Sequence, residues 1–146
     1  MYSYTKNVRI RSINYVVSLP VSDQILSAGD SGKIFLLPDI PGAGGVDRTI
    51  TLPALAPGLH YIFLNSGLAA VHDWIITGGA GILASTTVRA GVAVLSAGSG
   101  TATSIRVVGG TSVIGDCVEL YSVGTRWSVR ASSGAGAGIT IVSICV

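Results

Sequence analysis

The chain has 146 residues, nine basic and seven acidic side chains and a formal net charge of +2; 11% of its residues are charged and 49% are hydrophobic. That length fits one domain, and no apolar run reaches the roughly 18 residues of a membrane-spanning helix. Sixteen ionic side chains spread along the whole sequence also lack the basic stripe of a nucleic-acid binder.

Ordinary globular chains carry about 25% charged residues. With less than half of that, a free-standing monomer would leave apolar patches in water, and such patches mark interfaces. Self-association is therefore expected.

In chain order, residues 1–12 read as an N-terminal arm holding Tyr2, Tyr4, Lys6, Arg9 and Arg11. Its start lacks the apolar segment of a secretory signal, so a reducing compartment is expected. Residues 13–146 read as one domain. Val, Ile, Thr and Ser in short runs, with twenty glycines, favour strands and tight turns over helices. Ile13–Val17 reads as a first strand stopped by Pro20. Lys33–Leu37 follows the turn Gly29-Asp30-Ser31-Gly32 and stops at Pro38. A flexible loop, Pro41–Gly45, precedes Arg48–Leu52, which alternates polar and apolar residues as a half-buried strand does.

Pro57-Gly58 punctuates the turn into His60–Leu64. Asp73–Thr77, Ser85–Val88, Gly91–Leu95 and Thr103–Val108 follow. Asp116–Tyr121 and Arg126–Arg130 flank Ser122-Val123-Gly124-Thr125 and predict a hairpin turning at glycine. A second flexible stretch, Gly134–Gly138, leads into the alternating Ile139–Cys145. Many one-sided strands without a long helix predict an all-β fold: a jelly-roll-type β-sandwich of about eight to ten antiparallel strands. Phe35, Phe63, Trp74 and Trp127 are its expected core aromatics.

The sequence holds no catalytic or metal constellation. No glycine-rich stretch ends in the Gly-Lys-Ser/Thr of a phosphate loop, and Gly134–Gly138 precedes a strand rather than the helix a dinucleotide needs. His72 and Asp73 are adjacent, so on a strand they would point to opposite faces; His60 reads as a strand-boundary residue. Asp30, Asp39 and Asp47 sit in glycine-rich loops as turn formers, without the alternation of a calcium loop. Cys117 and Cys145 are too few for a disulfide scaffold and read as small buried apolar groups, able to bridge only from neighbouring strands. No cofactor is expected, and the sequence points away from an enzyme.

Ser31–Phe35, Thr49–Pro53 with Pro57–Phe63, Gly115–Ser122 and Gly124–Trp127 follow one another in an order that resembles small β-rich virion-surface proteins of tailed bacteriophages and other double-stranded DNA viruses. These are capsid decoration (cement) proteins and related fibre modules. The likeness covers roughly residues 30 to 132. It implies a trimeric jelly roll, placed on the outer capsid surface after assembly in the host cytoplasm. The implied partners are two further copies of itself and the major capsid protein, with no nucleic acid or membrane. The arm residues Tyr2, Tyr4, Lys6, Arg9 and Arg11 would then dock to the capsid. A receptor- or glycan-binding module of a tail fibre or spike is the alternative.

Overall fold

Alternation is unbroken over residues 60–65, and there Tyr61, Phe63 and Asn65 point inward while His60, Ile62 and Leu64 point outward. Similar patterns recur along the chain, and twelve strands stand among the described residues. They are β1 Val16–Ser18, β2 Gln24–Ile25, β3 Ile34–Leu37, β4 Arg48–Thr51, β5 His60–Asn65, β6 Trp74–Thr77, β7 Leu83–Ala90, β8 Ala93–Ala97, β9 Ala102–Val107, β10 Cys117–Ser122, β11 Trp127–Ser133 and β12 Ile139–Ser143. The only helical element among the described residues is one 3-10 turn, Ala28–Asp30. The structure, a computed structural model, describes residues 15–42, 45–67, 71–78, 83–90, 93–97, 102–134 and 138–143.

The first six strands alternate between two sheets. β1, β3 and β5 lie side by side in the first, and β2, β4 and β6 in the second, with every one of these neighbours parallel. Three coils are thus stacked in the manner of a short solenoid. In the second sheet Gln24 aligns with Ile50 and Ile50 with Ile76, a step of 26 residues each time. Gly32 and Gly58, also 26 apart, end the two crossovers that return to the first sheet; their φ angles of +87° and +82° are open to glycine at no steric cost.

Antiparallel strands close both sheets. β10 pairs with β5, and β11 completes the hairpin with β10, turning through Gly124 at φ +92°. β9 pairs antiparallel with β6, and β12 with β9. β7 runs parallel to β11 and antiparallel to β8, and one residue pair, Leu83 with Ala102, joins the two sheets. The all-β class is observed, with more strands than the expected eight to ten. The antiparallel jelly-roll pairing is not what the first half adopts, since all four ladders among β1 to β6 are parallel, and β7 with β11 makes a fifth parallel ladder of the eleven described. The physical reason is that alternation reports which face is buried and is silent on the partner's direction.

Both sheets send alternate side chains into one apolar cluster. Phe35, Tyr61, Phe63, Val118, Leu120, Trp127 and Val129 enter from the first, and Ile50, Trp74, Ile76, Ile105 and Val107 from the second. Register stacks Phe35 on Phe63, with ring centroids 5.5 Å apart. Trp127 is 0% exposed and meets Tyr61 edge-on at 5.7 Å, so the hairpin is packed directly onto the coils. The Trp74 indole N–H donates to Pro38 O at 2.9 Å, and Tyr61 OH donates to Ser27 O at 2.8 Å. Burial, helped by the Asp30 charge, pushes the Tyr61 phenol up to about 12, which keeps it a donor.

Candidate functional site

Because side chains alternate, each inward row has an outward counterpart. On the first sheet one outward row runs Ser18, Leu36, Leu64, Cys117, Ser132 across β1, β3, β5, β10 and β11, and the next runs Val16, Ile34, Ile62, Glu119, Arg130. An outward face in water is usually polar. Here the side formed by β1, β3 and β5 is apolar at Val16, Ile34, Leu36, Ile62 and Leu64, and the side formed by β10 and β11 carries the polar groups.

Glu119 is the hub of that polar end. His60, directly across from Tyr121 in the β5–β10 ladder, stacks on it with centroids 4.3 Å apart and planes 2° from parallel. His60 Nε2 lies 3.0 Å from Glu119 Oε1, and Tyr121 OH donates to the same oxygen. Burial pushes the Glu119 carboxyl up, but the hydrogen bonds from Tyr121 and His60 and the nearby Arg130 charge outweigh it and hold the group below its ordinary range. The bond to Glu119, followed by burial, raises Tyr121; burial, followed by the Glu119 charge, raises the Cys117 thiol. At neutral pH the three groups therefore rest as carboxylate, phenol and thiol. The thiol form is the unreactive one. A shallow depression of about 130 Å³ opens beside them, lined by Cys117, Glu119, Arg130, Ala131 and Ser132. This arrangement suits binding, with a fixed charge, ring edges and an apolar plain in one surface.

A second polar cluster sits where the strands of the second sheet begin. Arg106 Nη1 is 2.8 Å from Asp73 Oδ2 and 3.5 Å from Asp47 Oδ2, and His72 Nδ1 is 3.8 Å from Asp47 Oδ1. The same aspartates knit the coils: Thr49 N–H donates to Asp23, Asp73 N–H to Asp47, and Gly109 N–H to Asp73, at 2.9, 3.0 and 2.8 Å. Each carboxylate takes a backbone donor from the next layer, so this cluster fixes register. His72 and Asp73 precede β6 instead of lying on a strand, which corrects the earlier placement, and His72 faces Asp47 rather than its neighbour.

Tyr2, Tyr4, Lys6, Arg9 and Arg11 lie outside the described residues, as do Cys145 and the middle of both glycine-rich loops. Phe35, Phe63, Trp74 and Trp127 are all buried. Asp30 closes the turn after β2 by accepting from Ser27 N, Ser27 Oγ and Lys33 Nζ, and Asp39 is exposed. Among the described residues no three His, Cys, Asp or Glu side chains gather as metal ligands. Sequence reasoning missed the outward face. Its signal was present in β3 and β5, where Ile34, Leu36, Ile62 and Leu64 stand at positions that a half-exposed strand gives to polar residues.

No protein-family model, no curated protein and no solved structure matches the chain.

Proposed function

We propose that the protein is a structural, self-associating component of a virion surface, a capsid decoration (cement) protein that joins as a homotrimer and binds the major capsid protein. The observation that carries the reading is the apolar outward face of the first sheet, where Val16 is exposed and Ile34, Leu36, Ile62 and Leu64 are half-buried. Large uncovered apolar patches on soluble proteins mark interfaces. The scarcity of charge fits the same account, because surface shared with neighbours needs no ionic coat. The resemblance of residues 30 to 132 to virion-surface proteins supplies the setting.

Size decides how such a face would work. The five strands of the first sheet, three to seven residues long and about 4.8 Å apart, cover roughly 400 Å². A stable pairwise interface needs about 800 Å² per partner. One contact of this kind is weak, so it acts where many are engaged at once, as on the repeated lattice of a shell. A trimer suits a local threefold position there.

Sedimentation of the purified chain at micromolar concentration tests the first half of the proposal, with a trimer expected and a clean monomer counting against it. Leu64→Lys places a charge in the middle of the apolar plain without touching the core. The expected result is loss of the trimer and of co-sedimentation with capsids while the melting temperature stays within a few degrees. Binding to a glycan array, with no attachment to particles, would favour the fibre-module reading instead.

A further inference from the structure

In a closed ring each copy meets the next through two different patches, head to tail. The outward face of the first sheet is one patch, and the turn Ser112–Gly115 between β9 and β10 supplies a second of different shape. It holds up Val113 and Ile114, which are 41% and 60% exposed. Two buried polar side chains brace it from beneath. Asp116 accepts from Val113 N–H at 3.0 Å, and from Ser133 Oγ and Gly134 N–H at 2.8 Å each. Asn65 donates through Nδ2 to Val113 O at 3.0 Å, and its own carbonyl accepts from Gly115 N–H at 2.9 Å. Gly115, at φ +96°, then turns the chain into β10. The backbone is thus fixed while the two apolar side chains meet water. A group already fixed loses little freedom when it docks.

We propose that this turn is a knob that docks on a second copy of the chain: Ile114 seats in the depression beside Cys117 of the next copy, and Val113 lies against its Leu64. The inference rests on the self-association proposed above and names the groups that make it. The depression holds about 130 Å³. An apolar cavity of about 150 Å³ takes a benzene ring, so a four-carbon side chain is of the right size. Cys117 and Ala131 give the depression an apolar part, and Glu119, Arg130 and Ser132 give it a polar border, the division usual in interfaces. Leu64 stands beside Cys117 in the β5–β10 ladder, so the depression opens onto the apolar plain. Knob and depression are close together in the chain, at Ile114 and Cys117, which sets both contacts of a copy near one axis. Each copy is then held at two sites of roughly 400 Å² and leaves only by breaking both, so the ring holds where a single contact is weak.

Sedimentation and cross-linking of the full chain test this. Ile114→Asp puts a charge on the knob without touching the core, and the expected result is loss of the trimer with a melting temperature within a few degrees of the parent's. Ser132→Trp fills the depression from an exposed position on β11 and should have the same effect. Ile114→Cys carries the test if either variant does not fold: treated with diamide, it should give disulfide-linked dimers and trimers, and Cys117→Ser in the same chain should abolish them. A wild-type trimer that persists in Ile114→Asp overturns the knob and leaves self-association standing. Cross-links that survive Cys117→Ser overturn the pairing of knob with depression. A wild-type chain that sediments as a monomer overturns both the knob and the self-association on which it rests.

Discussion

Residues 15–78 and residues 102–143 build the same two sheets by different means. In the first region the chain passes from sheet to sheet, and each strand finds its parallel neighbour 18 to 28 residues away. In the second, β10 and β11 turn straight back on each other, and β9 pairs with β6 and β12 in antiparallel ladders. The coils supply a repeating frame whose layers would continue indefinitely; the antiparallel strands end it on one side. The polar hub of the outward face forms at that seam, where His60 of the coils meets Tyr121 and Glu119 of the hairpin.

Trp127 is the place to break the comparison, because its ring belongs to the hairpin and packs on Tyr61 of the coils. Trp127→Ala should cost about 3–5 kcal/mol, measured by denaturant unfolding. If the regions are one cooperative unit, amides of β3 and β11 lose protection together. Loss confined to β10 and β11 would show that the coils stand without their closing strands.

Glycine turns sharpen the contrast at a smaller scale. Gly32→Ala and Gly58→Ala meet no atom within 4 Å, so their cost is backbone strain alone, about 1–2 kcal/mol each. Gly124→Ala in the hairpin carries the same strain and in addition brings a Cβ to 3.1 Å from Pro57 Cγ. Thermal melts should therefore rank Gly124→Ala as the most damaging of the three. Equal losses would mean that Pro57 yields and the hairpin turn is no tighter than the coil turns.

How much of this was legible follows from what each signal measures. The strand at residues 60–65 and the hairpin at Gly124 were readable, since alternation and a turn glycine are local facts. The two-residue β2 left no alternation to read. Parallel stacking was written in a longer-range signal, the 26-residue recurrence of Gly32 with Gly58, Asp47 with Asp73 and Ile50 with Ile76. Unequal steps of 18 and 28 residues in the first sheet blur that period. His60, Glu119 and Tyr121 lie up to 61 positions apart, and only the β5–β10 register brings them together.

The smallest expected effect belongs to Asp30, inside the first crossover. Its carboxylate is lowered from 3.8 to about 2, first by the hydrogen bond from Lys33 and then by those from Ser27. A depressed folded-state value means the contribution is fully present above the unfolded value near 4 and disappears as pH falls through about 2. The site is partly open to water, so screening limits Asp30→Asn to a cost of about 1 kcal/mol at pH 7. The equivalent crossover before β5 has Ala56 at the position of Asp30 and uses Pro53 and Pro57 instead. Stiffening by proline is independent of pH, so acid should loosen the first coil before the second. Amide exchange followed from pH 5 to pH 2, normalised for the intrinsic rate, checks the order: β2 and β3 should lose protection ahead of β4 and β5, and simultaneous loss would remove Asp30 as the cause.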